Sequence, residues 1–429
     1  PQIGVAANGS LVLQPMPGQS VLMDGVDVKV LLERLEAQDQ QLAALQRQLT
    51  AHLAGLKCNA TLDFTSMPVE TAVQDWKWSF GVMAGNGKVY GIPFSATAVL
   101  IIDTATHTVD VTSIPVPEGD YKWSRAVVWR NGKIYAMPWF ANSVLVIDPV
   151  TNTADYSSMT MPAGEYKWLA VAMAPNGKLY CVPSDADVVL IVDPATNTTD
   201  VTSIAGFTGQ RRYYDAVLAQ NGKIYCSPQN AESVLIIDPA TDTADNTSMT
   251  GMVGMNKWWN SVLAGNGKIY AMPRDAAAVL IIDPATDTAD WTSMRVPAGT
   301  NKWRHGVVAG NGKIYAAPHS VDSVLIIDPA AGTADWTSIK VSSGTYQWQT
   351  TILTHSGLVY AMPFSSTEVL VIDPATDKTV PAKHMVAPPD LYKWNDAVLA
   401  DNGKIYGIPH SATSVGVIES LCTVTNGPL

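Results

Sequence analysis

Trp303-Arg304-His305-Gly306-Val307-Val308-Ala309-Gly310-Asn311-Gly312-Lys313-Ile314-Tyr315-Ala316-Ala317-Pro318 decides the fold, together with Val324-Leu325-Ile326-Ile327-Asp328-Pro329 and Trp336-Thr337-Ser338-Ile339. The run after Trp303 reads as a strand. Asn311-Gly312 predicts a type I′ hairpin, whose two central residues need positive φ. A second strand ends at Pro318, which has no N–H for a ladder. Val324–Ile327 is wholly apolar, as in a strand buried on both faces. Asp328-Pro329 opens a turn, and Trp336–Ile339 is read as a fourth strand.

The unit recurs. Tyr90, Tyr135, Tyr180, Tyr225, Tyr270, Tyr315, Tyr360 and Tyr406 are spaced by 45 residues six times and then by 46. Twelve residues before each Tyr stands an aromatic: Trp78, Trp123, Trp168, Tyr213, Trp258, Trp303, Trp348, Trp394. Three residues after it stands a proline, from Pro93 to Pro409, and thirteen after it an acid, from Asp103 to Glu419. Four strands per 40–50 residues, repeated radially, define a β-propeller. The expected fold is all-β, an eight-bladed β-propeller, and a β-solenoid would have shorter repeats.

The last copy lacks a fourth strand, whereas Asp63-Phe64-Thr65-Ser66-Met67 matches Asp290-Trp291-Thr292-Ser293-Met294. Residues 61–67 are therefore expected to complete the eighth blade. Cys58 and Cys422 fall at that junction, where the other blades have a continuous hairpin. A Cys58–Cys422 disulfide would close a loop of roughly 360 residues, for which the entropy treatment gives more than ~4 kcal/mol. Two free thiols are the alternative. Cys181 and Cys226 share a column with Gly91, Ala136 and Ala271, so they read as small buried residues. Disulfide closure implies an oxidising, extracellular or cell-surface setting. The sequons at Asn8, Asn59, Asn197 and Asn246 are candidate glycosylation sites.

Ahead of the repeats, Val28, Leu35, Leu42, Leu49 and Leu56 recur every seven residues, with Leu31, Gln38, Leu45 and His52 between them. The heptads predict an N-terminal α-helical coiled-coil stalk over 26–57, oligomerised through Val28, Leu31, Leu35, Leu42, Leu45, Leu49 and Leu56. A trimer is favoured over a dimer, and one amphipathic helix on the propeller is the alternative. The expected organisation is an irregular or β segment over 1–25, the stalk, a propeller over 58–422 and a tail over 423–429. The segment Asn8–Val21 resembles the β-segments that lead into coiled coils of trimeric fibre proteins, which implies an assembly joint.

The 429 residues are 47% hydrophobic and only 15% charged, so a large core is available. A net charge of −11 argues against nucleic-acid binding, which needs a cationic surface. No apolar run approaches the length of a membrane span.

Val99-Leu100-Ile101-Ile102-Asp103-Thr104-Ala105-Thr106-His107-Thr108, with Asn131-Gly132-Lys133-Ile134-Tyr135, resembles the YVTN repeat of surface-layer and secreted propellers, and kelch-like propellers share the hairpin. The resemblance implies an extracellular propeller and no particular activity.

A cation precedes most of the aromatic column: Lys77, Lys122, Lys167, Arg212, Lys257, Lys302 and Lys393, with Gln347 the exception. Together with Trp78, Trp123, Trp168, Tyr213, Trp258, Trp303 and Trp394 they form a candidate ligand face for glycans. The alternative is structural, with Trp packed between blades and Lys reaching solvent. The loops after the prolines vary most, from Phe94 and Trp139-Phe140 to Arg274-Asp275 and His319. The seven histidines are scattered over columns, and no Ser/His/Asp set or zinc spacing recurs. Asp238…Asp245 and Asp283…Asp290 are weighed as Ca²⁺ ligands against capping their own turns, and no other cofactor or metal is expected. The leading expectation is a non-enzymatic structural or adhesive subunit of an extracellular filament or coat. A multivalent glycan-binding propeller is the alternative, and a secreted propeller enzyme a remote third.

Overall fold

The computed structural model describes residues 56–71, 73, 75–381 and 385–424, together with four short strands near the start of the chain. Those strands are Gln2–Val5 paired with Leu11–Gln14, and Leu22–Met23 paired with Val26–Asp27. The expected stalk therefore begins and ends in strand, because Leu56 opens the strand Leu56–Asp63. The heptad positions Val28 to Leu49 lie outside the described residues, and no helix occurs among the described ones. Residues 60–420 form one compact unit, the propeller, and 1–59 with 421–429 a second.

The propeller consists of eight four-stranded antiparallel sheets, numbered here as blades 1 to 8 from Trp78 to Trp394. Blade 6 runs Trp303–Val308, Ile314–Pro318, Leu325–Asp328 and Thr333–Asp335. Its strands pair in chain order, with Val307 opposite Tyr315, Tyr315 opposite Ile326, and Ile326 opposite Asp335.

Two local expectations change. The fourth strand is Thr333–Asp335, and Trp336–Ser338 is a turn rather than a strand. Asp335 Oδ1 accepts from the backbone N–H of Thr337 at 2.7 Å and of Ser338 at 3.2 Å, which bends the chain immediately after the strand. The hairpin at Asn311-Gly312 is not type I′. Only Gly312 has positive φ, 80°, and its N–H donates to Ala309 O at 2.9 Å. This is a turn closed by a left-handed glycine, the G1-bulge form of a hairpin.

The eighth blade is completed from the other end of the chain. Its strands are Trp394–Leu399, Ile405–Pro409, Gly416–Val424 and Leu56–Asp63. Closure thus uses the expected segment but a strand displaced towards the N-terminus. Asp63 caps the turn that follows, accepting from Thr65 N at 2.8 Å, as Asp335 does in blade 6. The side chains of Cys58 and Cys422 lie outside the described residues.

The core lies between blades. Tyr315 and Ala309 of blade 6 pack with Trp348, Val359 and Leu370 of blade 7, and the same arrangement recurs around the ring. Each Trp of the repeat is buried and donates its indole N–H to the backbone carbonyl twenty residues on, as Trp303 does to Ser323 at 2.7 Å.

The Asn of the hairpin locks neighbours together. Asn311 Nδ2 donates to Tyr315 Oη and to the Pro374 carbonyl of blade 7, both at 2.8 Å. Lys313 Nζ meets Asp377 Oδ2 at 2.6 Å, and the Tyr315 hydroxyl donates to the same carboxylate. Blade 8 holds blade 1 likewise, through Asn402 Nδ2 on Thr104 O at 3.0 Å. Replacing Asn311 by Ala removes two partly buried bonds and is expected to cost about 1–2 kcal/mol, read as a lower urea midpoint.

Candidate functional site

The first strands of neighbouring blades lie side by side around the axis. The residue after each Trp-column position points into a cavity of about 620 Å³: Ser79, Ser124, Leu169, Tyr214, Trp259, Arg304, Gln349 and Asn395. From the next column come Phe80, Arg125, Asn260, His305, Thr350 and Asp396, and from the loops after the prolines Phe94, Trp139, Arg274, His319, Phe364 and His410. These are the columns in which the eight copies differ.

Aromatic rings form an arc of contacts around most of the mouth, from Tyr166 through Phe94, Trp76 and His319 to Tyr214, open among the described rings between its two ends. Phe94 and Tyr121 are 4.9 Å apart, Trp76 and His410 4.6 Å, Phe364 and Tyr392 5.1 Å, and Trp259 and His319 5.1 Å. Several belong to a rim position two residues before the Trp column. There Trp76, Tyr121, Tyr166, Arg211, Asn256, Asn301, Tyr346 and Tyr392 all have φ between 48° and 56°. This left-handed conformation costs a non-glycine residue roughly 1–2 kcal/mol. The preceding blade helps to hold it: Asp275 Oδ1 accepts from Asn301 N at 2.8 Å, and Ser320 Oγ from Tyr346 N at 3.2 Å.

Charged groups stand at the floor. Arg125 Nη1 meets Asp215 Oδ1 at 2.5 Å, and Asp215 Oδ2 accepts from Asn260 Nδ2 and Ser261 N, both at 2.9 Å. Asp396 has no ion pair among the described residues. It accepts from Gly81 N and Thr350 Oγ1 at 3.1 Å, and burial raises its pKa. His305, His319 and His410 are held neutral. Burial and the charge of Arg125 lower His305 to about 4, while burial and the charge of Arg304 lower His319 to about 3 and His410 to about 4. His319 Nδ1 lies 3.0 Å from Trp348 O, so it carries the proton and leaves Nε2 as acceptor.

The sign of the pH dependence follows. Unfolded imidazoles titrate near 6.5 and bind protons that the folded ones refuse. The imidazole contribution to stability is complete above about pH 6.5 and is expected to fall as pH drops towards 4, by about 1.4 kcal/mol per imidazole per unit. Urea unfolding at pH 7 and pH 5 reads this, and His319→Gln should flatten the slope. Equal stability at the two values would refute buried neutral imidazoles.

The sequence-predicted ligand face lies elsewhere. Lys77, Lys122, Lys167, Arg212, Lys257, Lys302 and Lys393 are buried beside the loops between blades. Lys122 Nζ donates to Ala96 O at 2.9 Å and Gly119 O at 2.7 Å, and Lys302 Nζ to Ala276 O and Gly299 O. Burial lowers the Lys122 and Lys302 ammonium groups to about 8. None of these cations, and none of Trp78, Trp123, Trp168, Tyr213, Trp258, Trp303 and Trp394, lines the cavity. Of the residues weighed as Ca²⁺ ligands, Asp238 and Asp245 cap their own turns, accepting from Ala240 N and Thr247 N. Asn197 and Asn246 are exposed, whereas Asn8 and the Asn59 side chain lie outside the described residues. Cys181 and Cys226 are buried free thiols. The varying loops after the prolines were the sequence signal that did reach the cavity, through Phe94, Trp139, Arg274 and His319.

No family model and no curated protein sequence matches the chain. Among solved structures it is similar to a streptogramin B lyase, at 10% identity and a TM-score of 0.53 over 85% of this chain and 98% of that one. It is similar also to virginiamycin B lyase from Staphylococcus aureus, at 10% identity and a TM-score of 0.53 over 70% and 94%. A catalytically inactive form of that lyase with quinupristin gives 10% and 0.51 over the same shares. At this identity the likeness establishes the propeller fold. The expectation of a non-enzymatic filament or coat subunit is corrected here. The three solved propellers named above are lyases, and the chain's own axial cavity gathers titratable groups that a purely structural ring does not require.

Proposed function

We propose that the protein is an enzyme-type propeller that binds a ring-bearing small molecule in the axial cavity and acts on it by acid–base chemistry. The observation that carries this reading is the divergence of the cavity columns on an otherwise repeating frame. All eight copies keep Pro and seven each keep Trp and Asn-Gly-Lys, yet together they supply Arg125, His305, His319, Asp396 and His410 to one space. A neutral imidazole can take a proton there, and Asp396, whose burial favours the protonated form, can return one. The rings of Trp76, Phe364 and Tyr392 supply flat apolar walls. On sequence grounds alone we add an extracellular setting, with the Cys58–Cys422 disulfide and glycans on the sequons, and homo-oligomerisation through the heptads.

The rim conformation makes the test selective. Glycine adopts positive φ without penalty, so Trp76→Gly and Tyr392→Gly remove a wall while relieving the backbone. A library of ring-bearing metabolites, screened by melting-temperature shift and then by turnover in NMR spectra, should yield compounds that stabilise the wild type. Both variants should melt no lower than wild type and lose that response. Asp396→Asn should lower turnover by at least a hundredfold. Hits that stabilise the variants equally would place binding outside the cavity and end this reading.

A further inference from the structure

We infer that the cavity is an anion receptor with a defined polar end, where the carboxylate of a ring-bearing ligand is held between Arg274 and Arg304 beside Trp259. This rests on the axial cavity being the small-molecule site. The Arg274 guanidinium lies 4.8 Å and the Arg304 guanidinium 5.3 Å from the centre of the Trp259 ring, which is 4% exposed. One buried indole therefore carries two cations. Stacking fixes the plane of each guanidinium and leaves its donors free for a planar acceptor. Arg274 is oriented further by its Nε–H on Asn301 Oδ1 at 3.1 Å, and Asn301 is one of the left-handed rim residues.

The charge balance separates these two arginines from the third. Arg125 is neutralised at 2.5 Å by Asp215, whose other oxygen is already taken. The carboxylate nearest Arg274 is Asp275 at 3.9 Å, and Asp275 Oδ1 also holds Asn301 N. Arg304 makes no ion pair with any described residue. Two like charges on one ring repel each other, and an anion between them offsets that repulsion. With Arg274 partly answered by Asp275, about one positive charge remains. That matches a carboxylate better than a phosphate monoester, which carries between one and two negative charges near neutral pH. The neighbouring imidazoles of His319 and His410 are neutral and add no competing charge.

The test uses the full chain and three probes in calorimetric titrations: indole-3-acetate, indole-3-acetamide and phenyl phosphate. Indole-3-acetate should bind at least tenfold more tightly than the amide, with an affinity that weakens as salt rises. Arg304→Gln, with an unchanged melting temperature, should weaken the acid at least tenfold and leave the amide unaffected. Equal affinity for acid and amide, an acid that ignores Arg304→Gln, or no binding of the acid would each overturn the inference. Tighter binding of phenyl phosphate would overturn the carboxylate assignment. Tyr392→Gly distinguishes the two readings. If acid and amide bind equally and both weaken in that variant, the cavity remains the ligand site and only the anion receptor fails. If Tyr392→Gly changes neither, the cavity reading itself fails.

Discussion

Arg125→Met is expected to destabilise the propeller by about 3 kcal/mol, the lower end for breaking a buried ion pair. Asp215, 5% exposed at its side chain, would keep its charge with only Asn260 and Ser261 N as donors. The effect stays at the lower end because Arg125 is itself 25% exposed and its place can admit water. The pair spans blades 2 and 4, and its loss should lower the urea midpoint without dividing the transition. Arg125→Met with Asp215→Leu should recover part of the loss, since apolar replacement of both partners removes the stranded charge but leaves Asn260 Nδ2 and Ser261 N without their acceptor. A double variant no more stable than Arg125→Met would show that the pair does not act as a unit.

A larger effect is expected from the closing segment. A chain beginning at residue 56 retains the whole strand Leu56–Asp63, and a chain beginning at residue 70 loses it. The shorter chain also loses Met67 and Val69, which are 1% and 6% exposed, and the packing of Leu62 and Phe64. Burial of each such side chain contributes about 1.5–3 kcal/mol, so the loss is of the order of a domain's entire stability. The backbone bonds Val415 N to Met67 O at 3.0 Å and Val69 N to Thr413 O at 2.8 Å go with it. The chain from 56 should unfold cooperatively, and the chain from 70 should lose cooperative melting or precipitate. Matching melting curves would show the closing strand to be dispensable.

The frame was legible because it repeats. The Trp, Asn-Gly-Lys-Ile-Tyr and Pro columns gave the blade count, and the match of Asp63–Met67 to Asp290–Met294 located the closure. The fourth strand was misplaced because Trp336-Thr337-Ser338-Ile339 looks like a strand by composition. The Asp335 carboxylate, by claiming two N–H groups, makes it a turn. The candidate site was mostly hidden for the opposite reason. Its residues lie in the columns that do not repeat, so reading by repetition passed over Arg304, His305 and Asp396. His305 sits in a first strand, whereas His319 and His410 follow prolines two blades apart. His319 and His410 share a column in blades that are not neighbours, and only the closed ring brings them and His305 to one cavity. The lysines attracted attention because they recur, and they recur because every loop between blades needs its carbonyls met.

The closing strand also sets an order of events during synthesis. Leu56–Asp63 leaves the ribosome before any complete blade of the ring, yet its partner Gly416–Val424 is made after every other strand of the ring. Translation at about 5–20 residues per second separates them by about 350 residues, a delay of roughly 20–70 s. Throughout that interval the first-made edge waits without its ladder, beside nascent blades that offer similar apolar edges. Each third strand that emerges is followed within a few residues by its own fourth strand, which occupies that edge first. Short local hairpins therefore keep the early strand unclaimed until the last blade arrives.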